Sequence, residues 1–224
     1  MENFEFVSPT HFVFGRGAEE QVGEKLAAAG AKRVLVHFGG GSAVASGLID
    51  RVGASLDAAG IEHLELGGVR PNPEITLVRE GVRLCKEANV DWVLAVGGGS
   101  VIDSAKAIAM GAATGRDPWE FASTGTRPDK TLPVATVLTL AASGSETSNS
   151  CVLTNEETKE KRGITSETNR PRISFLDPEN TYTVSKFQTG CGIVDIMMHT
   201  LERYLTPEGG ESDITDRIAE GLLI

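Results

Sequence analysis

The sequence is poor in cysteine, in basic charge and in long apolar runs, and each shortage narrows what the protein can be. Its three cysteines, Cys85, Cys151 and Cys191, show no CxxC spacing, which argues against a disulfide scaffold and favours a reducing compartment. Lysine and arginine total 21 against 31 acidic residues, a net charge of −10, so nucleic acid and anionic membranes are not expected partners. No apolar run approaches the roughly 20 residues that span a bilayer.

The N-terminus also lacks the features of a targeting segment. Its first residues, M-E-N-F-E-F, have neither the basic start nor the apolar centre of a signal peptide. Aromatic residues make up only 5% of the chain, but hydrophobic residues make up 40% of its 224 residues, which is enough for a sizeable core. We therefore expect a folded cytoplasmic protein.

Apolar strand-like segments alternate with helical segments along most of the chain. Strands are predicted at residues 33–37, 61–66, 91–96 and 132–138, and helices at residues 18–29, 44–59, 74–88 and 101–113. This alternation with short connections is typical of a parallel sheet covered by helices. Residues 4–7 and 11–14 indicate an edge pair of strands, and residues 151–176 indicate extra extended structure around a polar loop at 155–169.

The pattern becomes helical after Asp177-Pro178. Residues 189–205 have helical spacing, and a further helix starts at Asp213 and stops in mid-pattern at G-L-L-I. An apolar helix end without a cap suggests that the sequence is cut off. We predict an α/β fold with a Rossmann-like, parallel-sheet nucleotide-binding domain over residues 1–185. The first helices of an all-helical domain would occupy residues 186–224.

The strongest local signal is V-G-G-G-S-V-I-D-S-A-K, residues 96–106, between a buried strand and a helix. Glycines there allow a ligand close to the backbone, and the N–H groups and dipole of the helix start favour a phosphate. Asp103 and Lys106 lie three residues apart and share one helix face. The motif is neither GxGxxG nor a Walker A loop, and a glycine turn without a ligand is the alternative.

A second glycine loop, H-F-G-G-G-S, residues 37–42, also follows a strand. In dinucleotide sites an acidic residue at this position binds the free 2′-hydroxyl of NAD. Here Gly40, Gly41 and Ser42 leave room for a 2′-phosphate and bring no repelling charge, so NADP is favoured over NAD. An ordinary turn with no bearing on the cofactor is the alternative.

Two weaker signals follow. The turn T-L-A-A-S-G-S-E, residues 139–146, comes directly after a strand and carries small and hydroxyl side chains that would line a nicotinamide and diphosphate. Asp195 and His199 are spaced i and i+4, so they lie on one face of a helix and suit Zn²⁺ or Fe²⁺. Two ligands do not complete a catalytic site, and a surface pair or a packed histidine is the alternative.

Taken in order, these motifs resemble those of the iron-containing alcohol dehydrogenase family. The resemblance rests on G-G-G-S-x-x-D-x-x-K, the T-L-x-A-S-G-S-E-like turn, L-D-P-E, Y-T and G-x-x-D-x-x-x-H, residues 192–199. It covers almost the whole chain and is closest to the butanol dehydrogenase-like, NADPH-dependent branch, which shares the first G-G-G-S. It implies a dehydroquinate synthase-like architecture, in which an α/β domain binds the dinucleotide and a helical domain supplies most of the metal site.

The resemblance also implies roles for individual residues. Gly97, Gly98, Gly99 and Ser100 would hold the diphosphate, Asp103 would support that loop, and Gly40, Gly41 and Ser42 would face the 2′-phosphate. Thr139, Leu140 and Ser143 would line the cofactor, Lys161 would reach the nicotinamide ribose, and Asp195 and His199 would be two of four metal ligands. No catalytic residue beyond the metal ligands is implied. The other two ligands, both histidines in the family, lie beyond this sequence, so we expect the fragment to be poorly active.

The expected activity is hydride transfer between NADP(H) and a small alcohol or aldehyde, with Fe²⁺ or Zn²⁺ as the metal. The predicted edge strand and the resemblance indicate a homodimer. Two alternatives stay open: a zinc- and NAD-dependent enzyme of the glycerol dehydrogenase type, which the second G-G-G-S disfavours, and a non-catalytic nucleotide-binding fragment.

Overall fold

The computed structural model describes residues 3, 5, 7–205 and 213–224, which fall into two compact units. The first unit is Met1–Thr181 and the second is Tyr182–Ile224. Assigning the nucleotide site to residues 1–185 and a metal-binding domain to residues 186–224 stays a prediction.

The first unit is built on a parallel sheet. Its strands are β1 (His11–Phe14), β2 (Arg33–Gly39), β3 (Glu62–Val69), β4 (Trp92–Gly97), β5 (Val134–Leu138), β6 (Ser150–Asn155), β7 (Glu160–Thr165) and β8 (Ile173–Leu176). Six of them form one sheet in the order β1-β8-β5-β4-β2-β3, and every neighbouring pair is parallel. Strands β6 and β7 form a separate antiparallel hairpin. The predicted α/β fold is confirmed.

Helices cover both faces of this sheet. They are α1 (Val22–Ala28), α2 (Ser42–Ala45), α3 (Leu48–Ala58), α4 (Ile75–Glu87), α5 (Gly99–Thr114) and α6 (Pro118–Thr124). Alternate residues of the wholly buried strand β4 enter two cores: Val93 packs with residues of α4 and α5, and Leu94 packs with residues of α1 and α3. Burial on both faces explains the continuous apolar runs of the central strands.

Three local predictions differ from the structure. The single helix predicted over residues 44–59 is broken before α3, because Gly47 adopts a left-handed conformation with φ 68°. The polar loop predicted at residues 155–169 contains β7, whose exposed residues lack a clear apolar alternation. In the predicted edge pair, Phe4 and Phe6 lie outside the described residues, and β1 pairs in parallel with β8.

The second unit consists, in its described part, of α7 (Lys186–Tyr204) and α8 (Asp213–Leu223), which contact each other. Ser185 caps α7, because its hydroxyl accepts a hydrogen bond from the Gln188 amide at 3.2 Å. Apolar side chains of α7, including Ile193 and Ile196, are exposed. Within the described ranges, no helix is both long and apolar enough to cross a membrane.

Candidate functional site

The two glycine loops lie side by side where the strand order of the sheet reverses. From β2 the chain continues to β3 on one side, and from β4 it continues to β5 on the other side. Phe38 of β2 pairs with Val96 of β4, so both loops leave the sheet at the same carboxyl edge. In open parallel sheets this reversal point forms the ligand-binding crevice.

The loop between β4 and α5 approaches its neighbours too closely for side chains. Gly97 ends the strand, Gly98 is the N-cap, and Gly99 begins a helix of 16 residues. A Cβ atom on Gly99 would lie 2.2 Å from Ser143 Oγ, and one on Gly97 would lie 2.5 Å from Val101 Cγ2. These glycines are therefore required by packing as well as by any ligand at the helix N-terminus.

The third predicted segment lies directly against this loop. The Thr139 amide donates to the Gly97 carbonyl at 3.1 Å, and Leu140 Cβ lies 3.3 Å from where a Cβ of Gly98 would be. Together with Ser143, these residues form a wall beside the start of α5. The structure thus brings together predicted residues that are about 40 positions apart in the sequence.

The loop after β2 is open. Gly40, Gly41 and Ser42 are exposed, and no atom lies within 4 Å of a Cβ position on either glycine. Packing therefore does not require glycine at these two positions. The open space beside the crevice has room for a ligand group, and the three residues bring no carboxylate to it.

Asp103 faces the segment that follows the third loop. Its carboxylate accepts hydrogen bonds from Ser145 Oγ at 2.6 Å and from the Val152 amide at 3.0 Å. Burial raises the pKa of Asp103, while these hydrogen bonds act in the opposite direction. These are the contacts expected of a residue that supports a loop, and the segment that Asp103 contacts is residues 145–152.

Two buried groups beside the crevice were not among the predicted site residues. Lys106 is fully buried, and burial lowers its pKa to about 8. His37 is also fully buried, with Nδ1 2.7 Å from the Leu66 carbonyl and Nε2 2.8 Å from Ser104 Oγ. A carbonyl only accepts, so Nδ1 carries the proton and Nε2 accepts from the serine. The sequence signal that could have identified His37 as a residue near the site is its position near the end of β2, directly before the glycine loop.

Lys161 lies on β7 and is exposed. Its ammonium group donates a 2.7 Å hydrogen bond to Asn72 Oδ1, in the connection between β3 and α4. Asn72 has a left-handed backbone with φ 61°. The charge of Lys161 also acts to lower the pKa of Asp103.

The predicted metal-ligand pair lies on α7 in the second unit. Asp195 Oδ2 and His199 Nδ1 are 3.8 Å apart, and both side chains are exposed. Two donors at tetrahedral angles around one zinc ion are roughly 3.4 Å apart, so small side-chain rotations would fit both to one ion. Among the residues that the structure describes, no third histidine, cysteine or carboxylate joins them.

A shallow groove of about 610 Å³ runs along α7 beside Asp195. Its lining is mainly apolar and includes Phe187, Val194 and Met198, with Cys191 at the same surface. Cys191 is exposed and free, whereas Cys85 and Cys151 are buried. The candidate ligand Asp195 therefore borders an apolar surface.

Comparisons with known proteins show the family of the chain. A family model described as iron-containing alcohol dehydrogenase matches residues 9–178. The NADH-dependent butanol dehydrogenase A of Clostridium acetobutylicum is 44% identical over the whole chain, which covers 57% of that protein. The NADPH-dependent aldehyde reductase of Escherichia coli is 40% identical, again over the whole chain and 57% of its own length.

A solved structure also matches the whole chain. The crystal structure of NADH-dependent butanol dehydrogenase A from Thermotoga maritima matches the whole chain with a TM-score of 0.94 at 44% identity. The chain covers 56% of that structure, so it spans little more than half the length of these relatives.

Proposed function

We propose, from the premise that the chain belongs to the iron-containing alcohol dehydrogenase family, that it carries the dinucleotide site of an alcohol dehydrogenase or aldehyde reductase. The enzyme would transfer a hydride between NADP(H) and a small alcohol or aldehyde. One observation carries the proposal: residues 39–42, 97–100 and 139–143 meet at the reversal point of the sheet, beside the N-terminus of α5.

The residues of the crevice have separate tasks in this proposal. Backbone N–H groups in the first turn of α5, with the Ser100 hydroxyl, bind the diphosphate. Thr139, Leu140 and Ser143 form the wall that orients the nicotinamide. Lys161 binds the ribose hydroxyls. Orientation of the two reactants is the protein's main contribution to hydride transfer, because the cofactor supplies the hydride.

The choice of NADP(H) over NAD(H) rests on the open loop after β2. Gly40, Gly41 and Ser42 bring no carboxylate that would repel a 2′-phosphate, and two of them are free of packing contacts at Cβ. Relatives at 40% and 44% identity are named NADPH-dependent and NADH-dependent, respectively, so either cofactor occurs among similar proteins.

Asp195 and His199 are proposed as two ligands of Fe²⁺ or Zn²⁺. A divalent ion held by these two residues would supply Lewis-acid polarisation of the substrate oxygen. The carboxylate adds the negative charge that favours a divalent cation.

A fluorescence titration tests the cofactor assignment. The chain is expected to bind NADPH with about tenfold higher affinity than NADH, because one additional charge-assisted contact is worth roughly 1.4 kcal/mol. Ser42→Asp should reverse the order by repelling the 2′-phosphate, and Ser46→Asp, outside the glycine loop, serves as the matched control. Equal affinities in the unmodified chain would contradict the choice of NADP(H).

Metal binding is tested separately by calorimetry with Fe²⁺ and Zn²⁺. The chain should bind either ion weakly, because catalytic zinc sites have three protein ligands and only two donors are described here. Asp195→Asn and His199→Ala should each abolish the residual binding, while Glu202→Gln should not. Tight one-to-one binding that survives both substitutions would overturn this ligand assignment.

A further inference from the structure

We propose that Lys106 is a positioning residue for the dinucleotide crevice. It holds residues 145–150 from beneath, so that the wall formed by Thr139, Leu140 and Ser143 keeps its place against the glycine loop. The inference rests on the proposed function, because it concerns how that same crevice is shaped.

All three protons of the Lys106 ammonium group are used. Nζ donates to Ser145 Oγ at 2.9 Å, to the Ser148 carbonyl at 2.8 Å and to the Ser150 carbonyl at 2.8 Å. The side chain has no exposed surface. A buried charge is costly unless it is fully hydrogen-bonded and paired, so this arrangement ties the segment strongly to one point.

Asp103 completes the arrangement one turn earlier on the same helix face. Ser145 Oγ donates to Asp103 Oδ1 at 2.6 Å and accepts from Lys106, so its hydroxyl links the carboxylate and the ammonium group. Both charged residues belong to α5, whose N-terminus is the proposed diphosphate site. One helix therefore presents the phosphate-binding amides and also fixes the neighbouring wall.

Other donors hold the same segment at neighbouring positions. Ser174 Oγ donates to the Glu146 carbonyl at 2.7 Å, and Arg170 Nη1 donates to the Thr147 carbonyl at 2.8 Å. Four carbonyl groups between residues 146 and 150 are thus directed at side-chain donors. Ser143, two residues before this segment, lies where a Cβ of Gly99 would collide with it.

The protonation of Lys106 should be visible in binding. Burial lowers its pKa to about 8, against the charges of Asp103, Glu146 and Cys151, which act to raise it, while Arg170 acts to lower it further. A neutral amine donates only two protons, so one of the three contacts is lost above that pH. We expect NADPH affinity to fall severalfold between about pH 7 and pH 9.5 as the wall loosens.

The test measures NADPH affinity by fluorescence in this chain and in two variants. Ser145→Ala and Lys106→Met should each weaken NADPH binding about tenfold, and Lys106→Met should remove the pH dependence near 8. The matched control Lys86→Met, which removes an exposed lysine from α4, should bind and titrate like the unmodified chain.

The outcomes separate this inference from the proposed function. Failure of the unmodified chain to bind either NADPH or NADH would overturn the proposed function. Unchanged affinity in a folded Ser145→Ala variant, with binding intact in the unmodified chain, would overturn only the role of Lys106. Should Lys106→Met fail to fold, Ser145→Ala decides alone, and a tenfold loss there supports the proposal.

Discussion

Replacing Gly99 by alanine is expected to weaken dinucleotide binding by about 100-fold, equivalent to about 2.7 kcal/mol. The new methyl group would lie 2.2 Å from Ser143 Oγ and 2.9 Å from Ser143 Cβ, so the wall of the crevice must move. Overpacking of this kind costs about 1–3 kcal/mol, and the displaced wall also loses its own cofactor contacts. Titration with NADPH measures the effect.

Gly163→Ala provides the matched control for this substitution. The nearest atom to a Cβ at Gly163, on β7, is the Cys151 carbonyl oxygen at 3.9 Å, which is an ordinary contact. Binding should therefore stay within about twofold of the unmodified chain, since surface substitutions are close to neutral. Comparable losses in both variants would mean that the close approach at Gly99 does not shape the site.

Acidification is expected to destabilise the first unit through His37, by about 3 kcal/mol between pH 6.5 and pH 4. Burial lowers the pKa of His37 from 6.5 to about 4, because the charged imidazole would lose its hydration. Above pH 6.5 His37 is neutral in the folded and unfolded states, so it does not reduce the free energy of unfolding. As the pH falls toward 4, His37 becomes protonated in the unfolded chain but stays largely neutral in the folded chain. The free energy of unfolding therefore decreases.

Urea unfolding at several pH values measures this contribution. His37→Gln removes the titrating group, so the difference in unfolding free energy between the two proteins should change by about 3 kcal/mol across this interval. Carboxylates that titrate over the same range contribute equally to both proteins and cancel. If the unfolding free energies of the two proteins changed with pH in parallel, His37 would be protonated in the folded state over the same pH range as in the unfolded state. That result would contradict the prediction.

The strands and glycine loops could be predicted because they depend on local patterns. The central strands are buried on both faces and so appear as uninterrupted apolar runs, as in β4. The pair Asp195 and His199 was predictable because helical spacing places both residues on one face of α7, where their side-chain atoms are 3.8 Å apart. Even the overlooked helix α6 carried a local signal, since Asp117 caps it and Pro118 is its first residue.

Other features depend on contacts that no local pattern contains. Strand β8 inserts between β5 and β1, although β1 precedes it by about 160 residues. In the sequence, Lys106 shares one helix face with Asp103. Its partners lie 39 to 44 residues away, and two of them are backbone carbonyls, which have the same chemistry at every residue. Its burial therefore could not be inferred from spacing.

Amide hydrogen exchange with and without NADPH tests the central claim most directly. NADPH binding is expected to slow exchange in three segments that are distant in sequence: residues 39–42, 97–101 and 139–145. The exchange rates of Gly163 and of the other β7 residues after Lys161 should stay unchanged. Binding that slows exchange elsewhere and leaves residues 97–101 unaffected would contradict a dinucleotide crevice at the start of α5.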